Sequence, residues 1–143
     1  MNYTTYFILF VMIFLFSCEE TNHSKAGVES AMQEYDRLIK KMDADSIAFL
    51  YTPDGDLGNI AHGRDSIRNF LSTFKNVKVL FQSSTSDSVK IKADTAYQKG
   101  TYKQVVVVPP NDTLTVKGTY NAIWLWMNTG GWHIKKMETK SLN

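Results

Sequence analysis

The chain has 143 residues, 43% of them hydrophobic, and a formal net charge of +2 from 16 basic and 14 acidic side chains. So small a charge excludes the strongly basic footprint of a nucleic-acid binder. A single cysteine excludes an internal disulfide and a cysteine-based zinc site, so stability has to come from packing, for which a 13% aromatic content supplies the material.

The chain opens with an uncharged apolar run over residues 6–17. It is long enough for the hydrophobic region of a secretory signal and too short to cross a bilayer, which takes about 20 apolar residues. Leu15-Phe16-Ser17-Cys18 follows, and resembles a bacterial lipoprotein signal, with Leu three positions before the cysteine and a small Ser just before it. In proteins with that signal the cysteine is lipidated and becomes the mature N-terminus. The resemblance implies loss of residues 1–17, a lipid on Cys18, and a place at the bacterial cell envelope, on the periplasmic or outer-membrane face. An ordinary cleaved signal with a bystander cysteine is the alternative. Residues 18–26 are polar and read as a flexible tether, which leaves 27–143 as the folded domain.

Val28, Ala31, Met32, Tyr35, Leu38, Ile39 and Met42 follow three-four spacing and make the apolar stripe of a first helix. A second, short helix is predicted over 43–51, capped by Asp43 or Asp45 and ended by Pro53-Asp54-Gly55. An extended segment over 57–61 ends at His62-Gly63, and a third helix over 64–74 puts Ile67, Phe70, Leu71 and Phe74 on one face. The rest is strand-like: 77–85, 88–92, 96–108, 114–127 and 132–140. Pro109-Pro110-Asn111-Asp112 is a loop, and Thr129-Gly130-Gly131 a tight turn.

Helices first, then a meander of long strands, predict an α+β domain. Its expected form is a cone-shaped, curved antiparallel sheet with three N-terminal helices packed on the concave face around a hollow. Alternate lysines, as in Val89-Lys90-Ile91-Lys92, read as a solvated sheet face. The strand over 116–126 differs, because Tyr120, Ala122, Trp124 and Trp126 on one face oppose Ile123, Leu125 and Met127 on the other. Two apolar faces predict a partner on the outer one, most simply a second copy in a homodimer.

Phe49-Leu50-Tyr51, Gly63-Arg64-Asp65-Ser66-Ile67, Gly118-Thr119-Tyr120 and Gly131-Trp132-His133-Ile134, in this element order, resemble the nuclear-transport-factor-2-like superfamily, which includes the ketosteroid-isomerase-like and SnoaL-like proteins. The resemblance covers about 28–141. It implies a cone-shaped α+β barrel, frequent dimers through the outer sheet face, and a pocket between sheet and helices. Members include enzymes, small-molecule binders and interaction domains, so the fold does not choose a function. Enzymatic relatives place an acidic base just after a tyrosine that here looks like Tyr51, which points to Asp54 and Asp56. They often carry His and Asp or Glu beyond the last-strand tryptophan; here that stretch is Lys135-Lys136-Met137-Glu138-Thr139, with Glu138 as the retained carboxylate and no His.

A carboxylate at the mouth of an apolar pocket has its pKa raised toward that of a general base, which is the chemical case for Asp54 or Asp56; a solvated Pro-Asp-Gly turn is the other reading. His62 could pair with Asp56, or simply cap the third helix. Strand parity puts His133 opposite Trp132 and Ile134, at a surface or dimer interface, and puts Lys136 on their face. Tyr51, Tyr120, Trp124, Trp132 and Glu138 are the candidate ligand-binding residues, with Trp126, Tyr97 and Tyr102 able to add stacking surface; core packing alone also explains the aromatics. The expected ligand is small and apolar or aromatic. No phosphate loop, His-Glu-x-x-His or Gly-x-Ser-x-Gly occurs, so no cofactor and no metal are expected. Asp45-Ser, Asp65-Ser, Asp87-Ser, Asp94-Thr and Asp112-Thr resemble O-glycosylation acceptors of exported proteins, or are caps and turns. Together these features predict a lipid-anchored binding or interaction module, with a small-molecule isomerase, dehydratase or hydrolase using an Asp base as the alternative.

Overall fold

A computed structural model describes residues 23–142; Cys18 and the apolar run before it lie outside the described residues. Helix α1 (Lys25–Lys41) starts where the Ser24 side chain accepts from the Gly27 amide at 3.1 Å, and ends at Met42 in the left-handed region. It thus begins three residues before the apolar stripe, so the last residues of the expected tether belong to the helix and its cap. Val28, Met32, Leu38 and Ile39 are its buried face, and Lys40 and Lys41 in the last turn complement the helix dipole. Asp43 caps α2 (Ala44–Phe49), accepting from the Ser46 amide at 3.0 Å.

The first difference from expectation comes next. Pro53-Asp54-Gly55 lies inside strand β1 (Tyr51–Leu57), not in a turn. β1 runs parallel to the last strand, with its register broken between Tyr51 and Asp56. Proline has no N–H to give a ladder, and it sits in that break. β2 (Ala61–His62) folds back on β1, and α3 (Arg64–Ser72) follows. Arg64 Nε donates to the Tyr51 carbonyl at 2.7 Å, while its guanidinium lies 4.7 Å over the Phe49 ring. One side chain therefore ties the start of α3 to the end of α2.

Four long strands complete the sheet: β3 (Lys78–Lys92), β4 (Thr95–Val108), β5 (Asp112–Met127) and β6 (Gly131–Ser141). β3 is continuous where two strands were expected; its register shifts between Ser86 and Ser88, so Asp87 is a bulge residue rather than a turn. The spatial order is β2-β1-β6-β5-β4-β3. All pairs are antiparallel except β1 with β6, so the sheet is mixed, not wholly antiparallel. The fold is α+β, a six-stranded curved open sheet with the helices at the N-terminus of the domain. The core lies between helices and concave face, with Val28, Ile47, Tyr51, Ile67, Trp124 and Ile134 fully or almost fully buried. Each such aliphatic side chain contributes roughly 1.5–3 kcal/mol by leaving water.

A second bulge corrects two expectations about β6. Trp124 pairs with Ile134 but Ile123 pairs with Lys136, which leaves Lys135 as the extra residue. Beyond it the parity flips: Met137 and Thr139 face inward, while Lys136 and Glu138 face outward and form an ion pair at 2.7 Å. Before the bulge, His133 is buried, 7% exposed, with Phe49 edge-on at 6.2 Å, rather than at an open surface.

Candidate functional site

A partly open cavity of about 160 Å³ lies between α1 and the sheet. Met32, Tyr35 and Ile39 enter it from α1, at the spacing of one helix face. Gln82 and Ser84 come from β3, Tyr102 and Gln104 from β4, Tyr120 from β5, and Met137 and Thr139 from β6. Two reciprocal cross-strand pairs floor it. Tyr120 is opposite Gly100 and Tyr102 is opposite Gly118. A Cβ on Gly100 would stand 2.8 Å from the Tyr120 ring, and one on Gly118 would stand 2.5 Å from the Tyr102 ring. The glycines thus let two phenols lie flat on the sheet instead of standing up to fill the hollow.

Asp36 fixes the α1 wall. Its carboxylate accepts from Gln82 Nε2 at 2.9 Å, the Ser84 amide at 2.6 Å and Ser84 Oγ at 2.7 Å. A carboxylate only accepts, so the Gln82 NH₂ group must face it and Oε1 must point away. That Oε1 is buried and has no partner. Leaving such an acceptor without a donor costs about 1–3 kcal/mol.

A polar chain reaches the cavity from the core. Trp124 Nε1 donates to Gln98 Oε1 at 2.9 Å, and Gln98 Nε2 donates to Ser86 Oγ at 2.6 Å. Ser86 Oγ in turn lies 3.3 Å from the Tyr120 hydroxyl. Indole nitrogen only donates, which fixes the amide of Gln98 and the direction of the chain as far as Ser86. If Ser86 passes its proton to the Tyr120 oxygen, the Tyr120 proton is free for the cavity.

Among the described residues, no charged side chain lines this space. Its phenols stay protonated: burial pushes Tyr35 up to about 12 and also raises Tyr102 and Tyr120. Tyr51 is fully buried, and burial together with the Tyr35 phenol beside it raises its pKa well above the usual value. What the cavity offers is therefore neutral donors and acceptors between thioether and aliphatic surface.

Of the residues singled out from sequence, Tyr120 and Tyr102 line the cavity, Tyr97 is exposed away from it, and Tyr51 is buried without lining it. Trp124 is wholly buried and reaches the cavity only through the polar chain. Trp132 packs edge-on against Trp126 at 5.4 Å, with His23 stacked on it at 5.1 Å, and does not line the cavity. Glu138 stands on the outer side, beside a groove it shares with Leu57, Ile60 and Asn121. Asp54 is 69% exposed, held by Lys135 at 2.7 Å and Thr52 at 3.0 Å, and the Lys135 bond keeps its carboxyl below the usual range. Asp56 meets His62 at 2.6 Å, the pair that sequence suggested, but the His62 ring is 73% exposed. None of these three lines the cavity. The aspartates of the Asp-Ser triplets at 45 and 65 lie in first turns of helices, and Arg68 bridges both.

Sequence reasoning missed Asp36, Gln82, Ser84 and Gln98. Their signal was the inward row Gln82, Ser84, Ser86, whose alternation marks a polar concave face on β3. Among the described residues no group of three or more His, Cys, Asp or Glu side chains could hold a metal ion, and no helix is long and apolar enough to cross a membrane.

No family model matches the sequence, and no curated protein matches it. Solved structures do match. A ketosteroid isomerase-like protein from Erwinia carotovora atroseptica SCRI1043 aligns over 82% of this chain and 95% of its own, at 18% identity and a TM-score of 0.72. A nuclear transport factor 2-like superfamily protein from Salmonella enterica serovar Typhimurium LT2 aligns over 82% and 89%, at 16% identity and 0.69. A protein of unknown function from Mycobacterium tuberculosis aligns over 80% and 73%, at 16% identity and 0.70. The fold of this chain is the nuclear-transport-factor-2-like fold, shared with ketosteroid-isomerase-like proteins.

Proposed function

We propose that this chain is a small-molecule-binding module, held to a membrane at the bacterial cell envelope by a lipid on Cys18 and working as a homodimer. One observation carries the binding reading: the central cavity is lined wholly by uncharged side chains, with Asp54, Asp56 and His62 outside it. A general base has to reach the proton it abstracts, about 2.6–3.2 Å away, directly or through one water. Those three residues are not placed for that, so the isomerase, dehydratase or hydrolase alternative loses its candidate base. Amide chemical shifts recorded while uncharged single-ring compounds are added test the reading; it requires shifts at Met32, Tyr35, Tyr102 and Tyr120, and their absence refutes it.

The anchor rests on the Leu15-to-Cys18 pattern. Incorporation of radiolabelled fatty acid that disappears in Cys18→Ala supports it, and failure to label the native chain removes it. The dimer rests on the outer face of β4 and β5, where Tyr97 is 47% exposed next to half-buried Ile123 and Leu125. Light scattering that reports a monomer at high concentration rejects that part.

A further inference from the structure

Resting on the binding-module reading, we infer that the cavity takes a neutral, single-ring ligand carrying a hydrogen-bond donor and an acceptor on one small head group, such as a primary carboxamide. An engineered apolar cavity of about 150 Å³ accommodates one benzene, and this one measures about 160 Å³ with an open side for a head group. Met32, Ile39 and Met137 supply the apolar contact for a ring; thioethers suit aromatic partners.

Gln82 Oε1 is an acceptor whose orientation Asp36 enforces and which no protein group satisfies. Its surface is closed to solvent, so an N–H or O–H donor reaches it with a small shift of the Gln82 side chain toward the cavity. Tyr120 sits at the end of a chain that begins at Trp124 and whose direction is fixed as far as Ser86; with Ser86 donating to the Tyr120 oxygen, the Tyr120 proton is free for an acceptor in the cavity. One wall therefore accepts and another donates. The protonated phenols and the absence of any lining cation remove the means of holding an anion. The Asp36 carboxylate behind Gln82 adds a negative charge next to the site, which opposes a carboxylate ligand. A carboxamide meets both demands with one planar group: its NH₂ donates to Gln82 and its carbonyl accepts from Tyr120.

Three probes of nearly the same shape test this on the purified protein. Benzamide has both donor and acceptor, acetophenone replaces the donor NH₂ by methyl, and benzoate carries a charge. Titration followed by amide chemical shifts at Met32, Tyr35 and Tyr120 should give benzamide a Kd at least about fivefold below either of the others, the ratio that one hydrogen bond of about 1 kcal/mol provides. Tyr120→Phe should weaken benzamide by a similar factor, provided its spectrum shows the native fold. The acetophenone comparison needs no variant and decides the matter if that one does not fold. Acetophenone or benzoate binding as tightly as benzamide overturns the inference and leaves the binding reading intact. No probe binding at all overturns both.

Discussion

Asp36→Ala is the substitution from which the structure predicts most. The carboxylate receives three hydrogen bonds from β3, all shorter than 3.0 Å, and is the polar link between α1 and the sheet at the cavity. Hydrogen bonds to a charged group contribute about 1.5–3 kcal/mol each. The full total is not lost, because water can enter the partly open cavity and take over some of the freed groups. The Ser84 amide is the exception: it sits between strand and helix, and an unsatisfied buried donor costs about 1–3 kcal/mol by itself. We therefore expect Asp36→Ala to lower stability by about 2–4 kcal/mol, a fall of roughly 10 °C in Tm for a domain of this size. Asp36→Asn retains one accepting oxygen but brings an NH₂ group against that of Gln82, and should lose about half as much. Urea denaturation followed by circular dichroism measures both, with the m-value expected to stay constant. A loss below about 1 kcal/mol for the alanine variant would refute the claim that this carboxylate fastens the helix to the sheet.

Three further expectations follow from the same geometry. Gly100→Ala places a methyl 2.0 Å from the Thr85 carbonyl and 2.8 Å from the Tyr120 ring, and the backbone oxygen cannot turn aside; it should cost about 3 kcal/mol and shift the Tyr120 ring resonances, whereas a near-native urea midpoint would disprove the close-approach account. Asp54→Asn should leave benzamide binding unchanged, since the carboxylate does not line the cavity, and a changed Kd would disprove that placement; in the native protein its NMR titration should fall below the usual aspartate value because Lys135 and Thr52 hold the charged form. His133 titrates with a consequence of the same sign for stability, at higher pH. Burial, followed by Arg64, lowers its folded-state pKa below the ordinary 6.5, so the unfolded chain binds a proton more readily. Its contribution is therefore complete above about pH 6.5 and is lost as the pH falls from there toward the folded pKa. His133→Gln should flatten urea-derived stability over that interval, and an unchanged slope would disprove the assignment.

The helices were legible because their apolar residues recur at three and four, and because Asp43 and Pro53 stand near the ends of the second. The long strands were legible for the same reason at period two. Period two fails wherever a strand carries an extra residue, and both failures here are bulges. Lys135 on β6 turned Lys136 and Glu138 outward, so a carboxylate expected near the pocket faces the opposite side of the sheet. Asp87 on β3 made one long strand look like two. Asp54 and Asp56 misled for a different reason: Pro-Asp-Gly has the composition of a turn, yet the pairing of β1 with β6 across a broken register makes it strand, with its side chains directed to water and to His62.

The hollow was expected, but its polar lining escaped notice because its makers are unremarkable one at a time. Gln82, Ser84 and Ser86 resemble a solvated edge until α1 is laid over them and Asp36 takes up their hydrogens. Gly100 and Gly118 resemble weak points in strands until Tyr120 and Tyr102 are found across them. Each device depends on a partner at least 16 residues away in the chain, beyond any local periodicity. A polar concave row under a helix, bordered by glycines opposite tyrosines, describes a hollow that is kept open and kept neutral. That combination favours reversible capture of an uncharged molecule over proton transfer. Proton transfer needs a titratable group whose pKa lies near the working pH at the reacting atoms, and the phenols that face this cavity are all shifted away from neutrality.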